Sequence, residues 1–226
     1  MPIFKKKNEK FFEQWTPDMA YVLGFFAADG TITVNPRGSC YLALQIADKA
    51  LLEKIRGKVK SNHAIGVRKR DKNEQTLYRL QIGSKKMFTD LMDLGISERK
   101  AHSLSLPPIP RENMGSFVRG YFDGDGNVWT GYVHKKRKKR SFVIQTAFTS
   151  GSKKFLMSLK SELERSGISG GTFYSPKENV YRLLYSVRNS VLLYSLMYAN
   201  LDSDLFLKRK KKVFENYFAR MHAAVV

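Results

Sequence analysis

Two carboxylates carry the first chemical signal in this chain. Asp29 ends the stretch Ala20-Tyr-Val-Leu-Gly-Phe-Phe-Ala-Ala-Asp-Gly30, and Asp125 ends Ser116-Phe-Val-Arg-Gly-Tyr-Phe-Asp-Gly-Asp-Gly126, 96 residues later. Each stretch reads as a short apolar helix stopped by Asp-Gly. Small residues recur at every fourth position before each Asp: Ala20, Gly24 and Ala28 in one copy, Ser116, Gly120 and Gly124 in the other. On a helix that spacing makes one narrow stripe, and a stripe without bulk lets two backbones approach closely. Helices packed this way would deliver both Asp residues to one end, where the negative poles of two helix dipoles meet. Two carboxylates among helix-end carbonyls repel unless a cation sits between them. That is the outline of a divalent-metal site with oxygen ligands. One copy alone reads equally well as a buried helix with a glycine stop; two in the same register argue for a built site.

The elements that must position these residues follow in the same order twice. Thr16-Pro17-Asp18 is a helix start, and the first motif helix is expected over 17–28. Strands follow at 31–34 and 40–46, a helix at 49–60, a hairpin of 64–70 with 76–82, and a helix at 85–94. In that hairpin Ile65, Val67, Tyr78, Leu80 and Ile82 are expected in the core, with Arg68, Arg70, Arg79 and Gln81 on the opposite face. Leu-Pro-Pro-Ile-Pro within 103–111 can be neither helix nor central strand, so it is the linker. The second half repeats the pattern: motif helix 112–124, strands 127–133 and 141–148, helix 153–165, a hairpin of 171–174 with 180–187, and helices 190–198 and 205–221. Leu77-Tyr-Arg-Leu80 matches Val180-Tyr-Arg-Leu183, and Glu98-Arg-Lys100 matches Lys208-Arg-Lys210. The expected fold class is therefore α+β. Two pseudo-symmetric αββαββα halves, 1–102 and 112–226, join through the linker 103–111, with the motif helices at their interface and two antiparallel sheets forming one concave saddle.

The totals point to a polyanionic partner. Forty Lys and Arg against 20 Asp and Glu give a formal net charge of +20, and nucleic acid is the default partner for such a field. An anionic membrane is the weaker alternative, because no basic amphipathic helix stands out. One cysteine, Cys40, excludes an internal disulfide, and His63, His102, His134 and His222 lack zinc-ligand spacing. No stretch approaches transmembrane length, and the start lacks a signal-peptide run. The expectation is a soluble intracellular protein.

The two motifs and the elements after them resemble the LAGLIDADG homing endonuclease family, in its single-chain, two-motif form. Val22-Leu-Gly-Phe-Phe-Ala-Ala-Asp-Gly30 and Val118-Arg-Gly-Tyr-Phe-Asp-Gly-Asp-Gly126 align to its motif without gaps, and the resemblance spans about residues 17–218. It implies a DNA-cleaving monomer of a prokaryotic cytoplasm or nucleoid, or of an organelle matrix. Asp29 and Asp125 would be the catalytic metal ligands, and Ala28 and Gly124 would lend backbone carbonyls. Mg²⁺ is the implied cofactor, with Mn²⁺ or Ca²⁺ substituting for binding. The reaction would be direct water attack on one phosphodiester per strand of a long asymmetric site, leaving 5′-phosphate, 3′-hydroxyl and short 3′ overhangs. Lys100 and Lys210 are the candidate basic residues near the scissile phosphates. Gln45, Asp48 and Gln145 are candidates for positioning solvent.

Double-stranded DNA would be read by Arg68, Arg70, Arg79, Gln81, Gln145, Arg182 and Ser186 on the sheet faces, joined by Gln45 and by Arg37 in the first hairpin turn. The basic tip Lys135, Lys136, Arg137, Lys138, Lys139 and Arg140 would grip phosphates. The sixth motif position is Ala27 in one copy and Asp123 in the other, so unequal halves and unequal nicking of the two strands are expected. A maturase-like RNA-binding splicing cofactor and a non-cleaving DNA-binding regulator of the same fold are the alternatives.

Overall fold

Helix α1 (Pro17–Asp29) starts where Thr16 Oγ1 accepts the Met19 N–H at 3.1 Å and stops at Gly30. A Cβ on Gly30 would lie 2.1 Å from the Phe26 ring, so only glycine lets the chain turn there. The structure, a computed structural model, describes residues 4–68, 75–98, 103–134, 140–199 and 201–223. After α1 come β1 (Thr31–Val34), β2 (Cys40–Ile46), α2 (Lys49–Lys58), β3 (Ile65–Arg68), β4 (Leu77–Gly83) and α3 (Lys85–Asp93). The second half opens with a 3-10 turn at Arg111–Asn113. It then runs through α4 (Met114–Asp125), β5 (Gly126–Val133), β6 (Ser141–Ser150), α5 (Lys153–Arg165), β7 (Thr172–Lys177), β8 (Val180–Tyr185), α6 (Val187–Tyr198) and α7 (Lys208–Ala223).

Side-chain oxygens set the helix starts. Asp48, Ser84 and Ser152 cap α2, α3 and α5 by accepting N–H groups three residues on. Each half holds one four-stranded antiparallel sheet, in the orders β1-β2-β4-β3 and β5-β6-β8-β7. The two orders are the same, which is the structural form of the repeat. Buried side chains of both halves form one continuous core, in which α1 and α4 are buried along most of their length. The proline-rich segment is fastened to the second half: Leu104 is buried and its carbonyl accepts the Ser152 hydroxyl at 2.8 Å.

Three expectations need correction. Val67 is 63% exposed rather than core, because β3 is a sheet edge and Val67 lies near its end. Strand β8 ends at Tyr185, and Ser186 is the residue before α6. Ser186 therefore lies beyond the strand that was to present it to DNA. The β7–β8 turn is tighter than expected, with β7 running to Lys177 and Asn179 taking φ 57°. The extra chain is absorbed by a register shift between Tyr174 and Lys177.

Candidate functional site

The helix pair is held at backbone contact. A Cβ on Gly24 would sit 2.1 Å from the Phe117 carbonyl oxygen, and one on Gly120 would sit 2.0 Å from that of Tyr21. Near the helix ends a Cβ on Gly124 would meet Ala28 Cβ at 2.3 Å and Asp29 Oδ2 at 3.2 Å. Asp29 is thus laid against the end of the opposite helix. Asp125 follows Gly124 directly, so the two carboxylates stand at adjoining helix ends. Asp29 is exposed and Asp125 half-buried.

Lys210 reaches this place from α7. Its ammonium donates to the carbonyls of Phe122 at 2.6 Å, Asp123 at 2.9 Å, Gly124 at 3.3 Å and Gly126 at 2.6 Å. These are helix-end carbonyls, the negative pole of α4. Burial pushes the Lys210 pKa down to about 8, still above neutral, so it is charged at pH 7. Arg119, buried in α4, positions the approach to α7. It donates from Nε to the Leu205 carbonyl at 3.0 Å and from Nη1 to that of Met197.

Asp123 does not join the two carboxylates at the helix ends. It is 1% exposed, and its Oδ2 accepts the Tyr21 hydroxyl and the Leu207 N–H, both at 2.8 Å. Burial raises its pKa to about 6. Tyr21 belongs to α1, so this bond crosses between the halves. The matching positions on the other side of the repeat are Phe117 and Ala27, an apolar pair.

Beside Asp29 lies a cleft of about 350 Å³ lined by Thr31, Ala43, Gln45, Arg68 and Arg79. The β-ladder explains the grouping: Gln45 pairs with Arg79, Arg79 with Gly66, and Thr31 with Ala43. All point away from buried Leu42, Leu44 and Leu80. Gln81 pairs with Ala43 on the same face. Arg68 Nη1 donates to Gln45 Oε1 at 3.5 Å.

In the second half Thr149 pairs with Arg182, so Thr149, not Gln145, is the counterpart of Gln45. Gln145 is exposed four residues earlier, opposite Trp129. Asp48 is turned to the α2 N-terminus, with Oδ1 accepting the Leu51 N–H at 2.9 Å, so it is a helix cap rather than a solvent-positioning group. Arg37 is exposed in the β1–β2 turn, and Arg140 is exposed at the base of the β5–β6 tip. Arg70, Lys100, Lys135, Lys136, Arg137, Lys138 and Lys139 lie outside the described residues. Thr149 and Trp129 were missed in the sequence because the matched motif Tyr-Arg-Leu aligns β4 with β8 but says nothing about β6.

The donors at the helix ends suit a hard divalent cation. They are two carboxylates and the backbone carbonyls of Ala28 and Gly124, all oxygen. Gly124 O sits at the longest of the Lys210 contacts, 3.3 Å, and a carbonyl has a second lone pair to offer. Among the described residues no group of three or more His, Cys, Asp or Glu forms a conventional metal cage.

A duplicated αββαββα unit, with acid-tipped helices paired at its centre and an open sheet on each side, defines the class. A family model described as a LAGLIDADG-like domain matches residues 16–93 and again 112–195. The chain belongs to the LAGLIDADG family. Its fold is that of solved meganucleases. It is similar to I-AabMI bound to uncleaved DNA, with TM-score 0.59 and 16% identity over 93% of this chain and 91% of that one. It is similar also to I-GzeII in complex with its DNA target, with TM-score 0.60 and 13% identity over 93% and 92%. I-SmaMI bound to uncleaveable DNA gives TM-score 0.60 and 13% identity over 91% and 88%. No curated protein matches the sequence. Among the described residues no helix is long and apolar enough to cross a membrane.

Proposed function

We propose that this chain is a single-chain, site-specific DNA endonuclease that cuts both strands of a long asymmetric target. The observation that carries the reading is the placement of Asp29 and Asp125 at adjoining helix ends in the repeat interface, flanked by two open sheet faces in a chain of net charge +20. Residues 1–102 and 112–226 act as the two half-site modules, joined by 103–111, and one copy of the chain supplies both active carboxylates.

In this reading Asp29, Asp125 and the carbonyls of Ala28 and Gly124 hold Mg²⁺. When bound, the metal supplies charge neutralisation at the phosphate and a more acidic water. Gln45 orients solvent at the first site, and Thr149 occupies the matching place at the second. Water oxygen bonds to phosphorus, the P–O3′ bond breaks and the leaving 3′ oxygen takes a proton, giving 5′-phosphate and 3′-hydroxyl with short 3′ overhangs. Lys210 holds the carbonyls of the α4 end together and adds positive charge beside the site; Lys100 is proposed for the same service in the first half. Arg68, Arg70, Arg79, Gln81, Gln145 and Arg182 read base edges, while Arg37, Arg140 and the residues 135–139 hold phosphates. Ca²⁺ is expected to support binding without cutting; I-SmaMI is a structure bound to uncleaved target in the presence of calcium ions.

The test is a cleavage selection on a randomised duplex library in Mg²⁺ at low salt. An enriched, cut sequence is expected. Asp29→Asn and Asp125→Asn should each abolish double-strand cleavage of it while leaving binding in Ca²⁺ within about threefold. Absence of any enriched, cut sequence would overturn the reading. An RNA whose splicing requires this protein even with both Asp residues replaced would put a splicing cofactor in its place.

A further inference from the structure

The two sheets differ in chemistry on the faces beside the paired carboxylates. Their ladders align the halves position by position. Thr31 pairs with Ala43 as Asn127 pairs with Ala147, and Gln45 pairs with Arg79 as Thr149 pairs with Arg182. On that alignment Thr33 of the first half becomes Trp129, Gly66 becomes Tyr174 and Gln81 becomes Leu184. Polar or absent side chains are replaced by apolar ones at three places on one face, and in the opposite sense Tyr41 becomes Gln145.

These residues are not part of the core. Trp129 is 44% exposed and Tyr174 is 55% exposed. Their ladder partners Gln145 and Arg182 are also exposed, and the residues of opposite parity, Ile144 and Leu183, are fully buried. Trp129 is supported from beneath: a Cβ on Gly131 would lie 2.3 Å from its ring. The absent side chain lets the indole lie along the strand. Four residues of β6 separate the Trp129 row at Gln145 from the Tyr174 row at Thr149, a spacing of about 13 Å. That is about four base-pair steps of duplex.

We propose that the second sheet reads thymine methyl groups through Trp129, Tyr174 and Leu184, while the first reads hydrogen-bonding base edges through Arg68, Arg79 and Gln81. In the major groove the C5 methyl is the one apolar feature that distinguishes thymine; the first face offers one half-buried ring, Tyr41, whereas the second offers two exposed rings and Leu184. Arg182 and Gln145 stand beside the rings to bond neighbouring bases. The target would then be asymmetric in composition, with a thymine-dependent half on the side of residues 112–226. The inference rests on the DNA endonuclease reading and specifies its substrate.

The test uses the full chain and a randomised duplex library selected for binding in Ca²⁺. The enriched duplex is then rebuilt with deoxyuridine replacing thymine, one half at a time, which removes only methyl groups. A buried methyl is worth about fourfold in affinity, so wild type should lose about that factor per contacted thymine, on one side of the centre only. Trp129→Thr and Tyr174→Ser, checked for unchanged thermal unfolding, should each lose the uracil penalty at their own position and retain it at the other. An enriched sequence with no uracil penalty, or one that the variants leave intact, overturns the inference and leaves the endonuclease reading standing. Failure to enrich any duplex overturns both. In that case, retention of single-stranded RNA that depends on the same two rings would assign them to base stacking.

Discussion

The backbones of α1 and α4 approach most closely at Gly120. Gly120→Ala places a methyl 2.0 Å from the Tyr21 carbonyl oxygen and 2.9 Å from the Phe25 nitrogen. A relaxed carbon-to-oxygen contact is about 3.3 Å, so the helices must part by about 1.3 Å there. The neighbours are backbone and cannot rotate away, which puts the cost at the upper end of overpacking, about 3 kcal/mol. Alanine returns about 1 kcal/mol of helix propensity. The net of about 2 kcal/mol corresponds to a fall in Tm of about 4–8 °C for a chain of this size. Asp29 and Asp125 ride on the ends of these helices, and a displacement near 1 Å costs about a hundredfold in rate. Gly57→Ala is the control. It sits in α2 with nothing within 4 Å of the added carbon, and should raise Tm by about 2–4 °C. Unfolding followed by circular dichroism and cleavage of the selected duplex measure both effects. A Gly120→Ala protein with wild-type Tm and rate would refute the claim that contact at this stripe sets the carboxylates.

Because Thr149 holds in the second sheet the position that Gln45 holds in the first, Gln45→Thr should narrow the difference between the two strand-nicking rates by slowing one of them, read on a duplex labelled separately on each strand; an unchanged ratio would remove Gln45 from solvent positioning. Lys210→Met should lower stability by about 3 kcal/mol, since it strips the donor from the buried carbonyls of Phe122 and Asp123, and a change below about 1 kcal/mol in denaturant unfolding would refute that role. Tyr21→Phe should cost about 2 kcal/mol by leaving Asp123 short of a donor. Adding Asp123→Ala should recover part of the loss, as a double-mutant cycle would show.

The motif helices were legible because glycine leaves a mark no other force produces: a small residue at every fourth position has no use on a helix unless another backbone occupies the space. The first sheet was legible from its alternation, with Arg79 and Gln81 between Leu80 and Ile82. The strands of the second sheet were legible as well, but their alignment with the first sheet was not. Strand β6 spans Ser141–Ser150 where β2 spans only Cys40–Ile46, and the added length let Gln145 stand in for a counterpart that is Thr149. Asp123 marked the halves as unequal, but its role was not legible: side-chain direction on a helix changes by about 100° per residue, and two positions before Asp125 it points into the core, where it accepts from Tyr21. Lys210 was found by its matched position, yet its engagement with four carbonyls depends on how α7 crosses the end of α4, which no local pattern encodes.

The single hydrogen bond between Tyr21 and Asp123 also bears on which halves can associate. Two copies of the first half would set Tyr21 against Ala27, stranding a phenol hydroxyl in the interface. Two copies of the second would set Phe117 against Asp123, leaving its carboxylate with the Leu207 N–H but without a donor from the opposite helix. Only the unlike pair gives the Tyr21 hydroxyl an acceptor and Asp123 a donor from across the interface. The interface therefore acts as a lock with one key, and the halves produced as separate chains should find each other in preference to themselves. The linker would then be a convenience of synthesis rather than the source of the pairing.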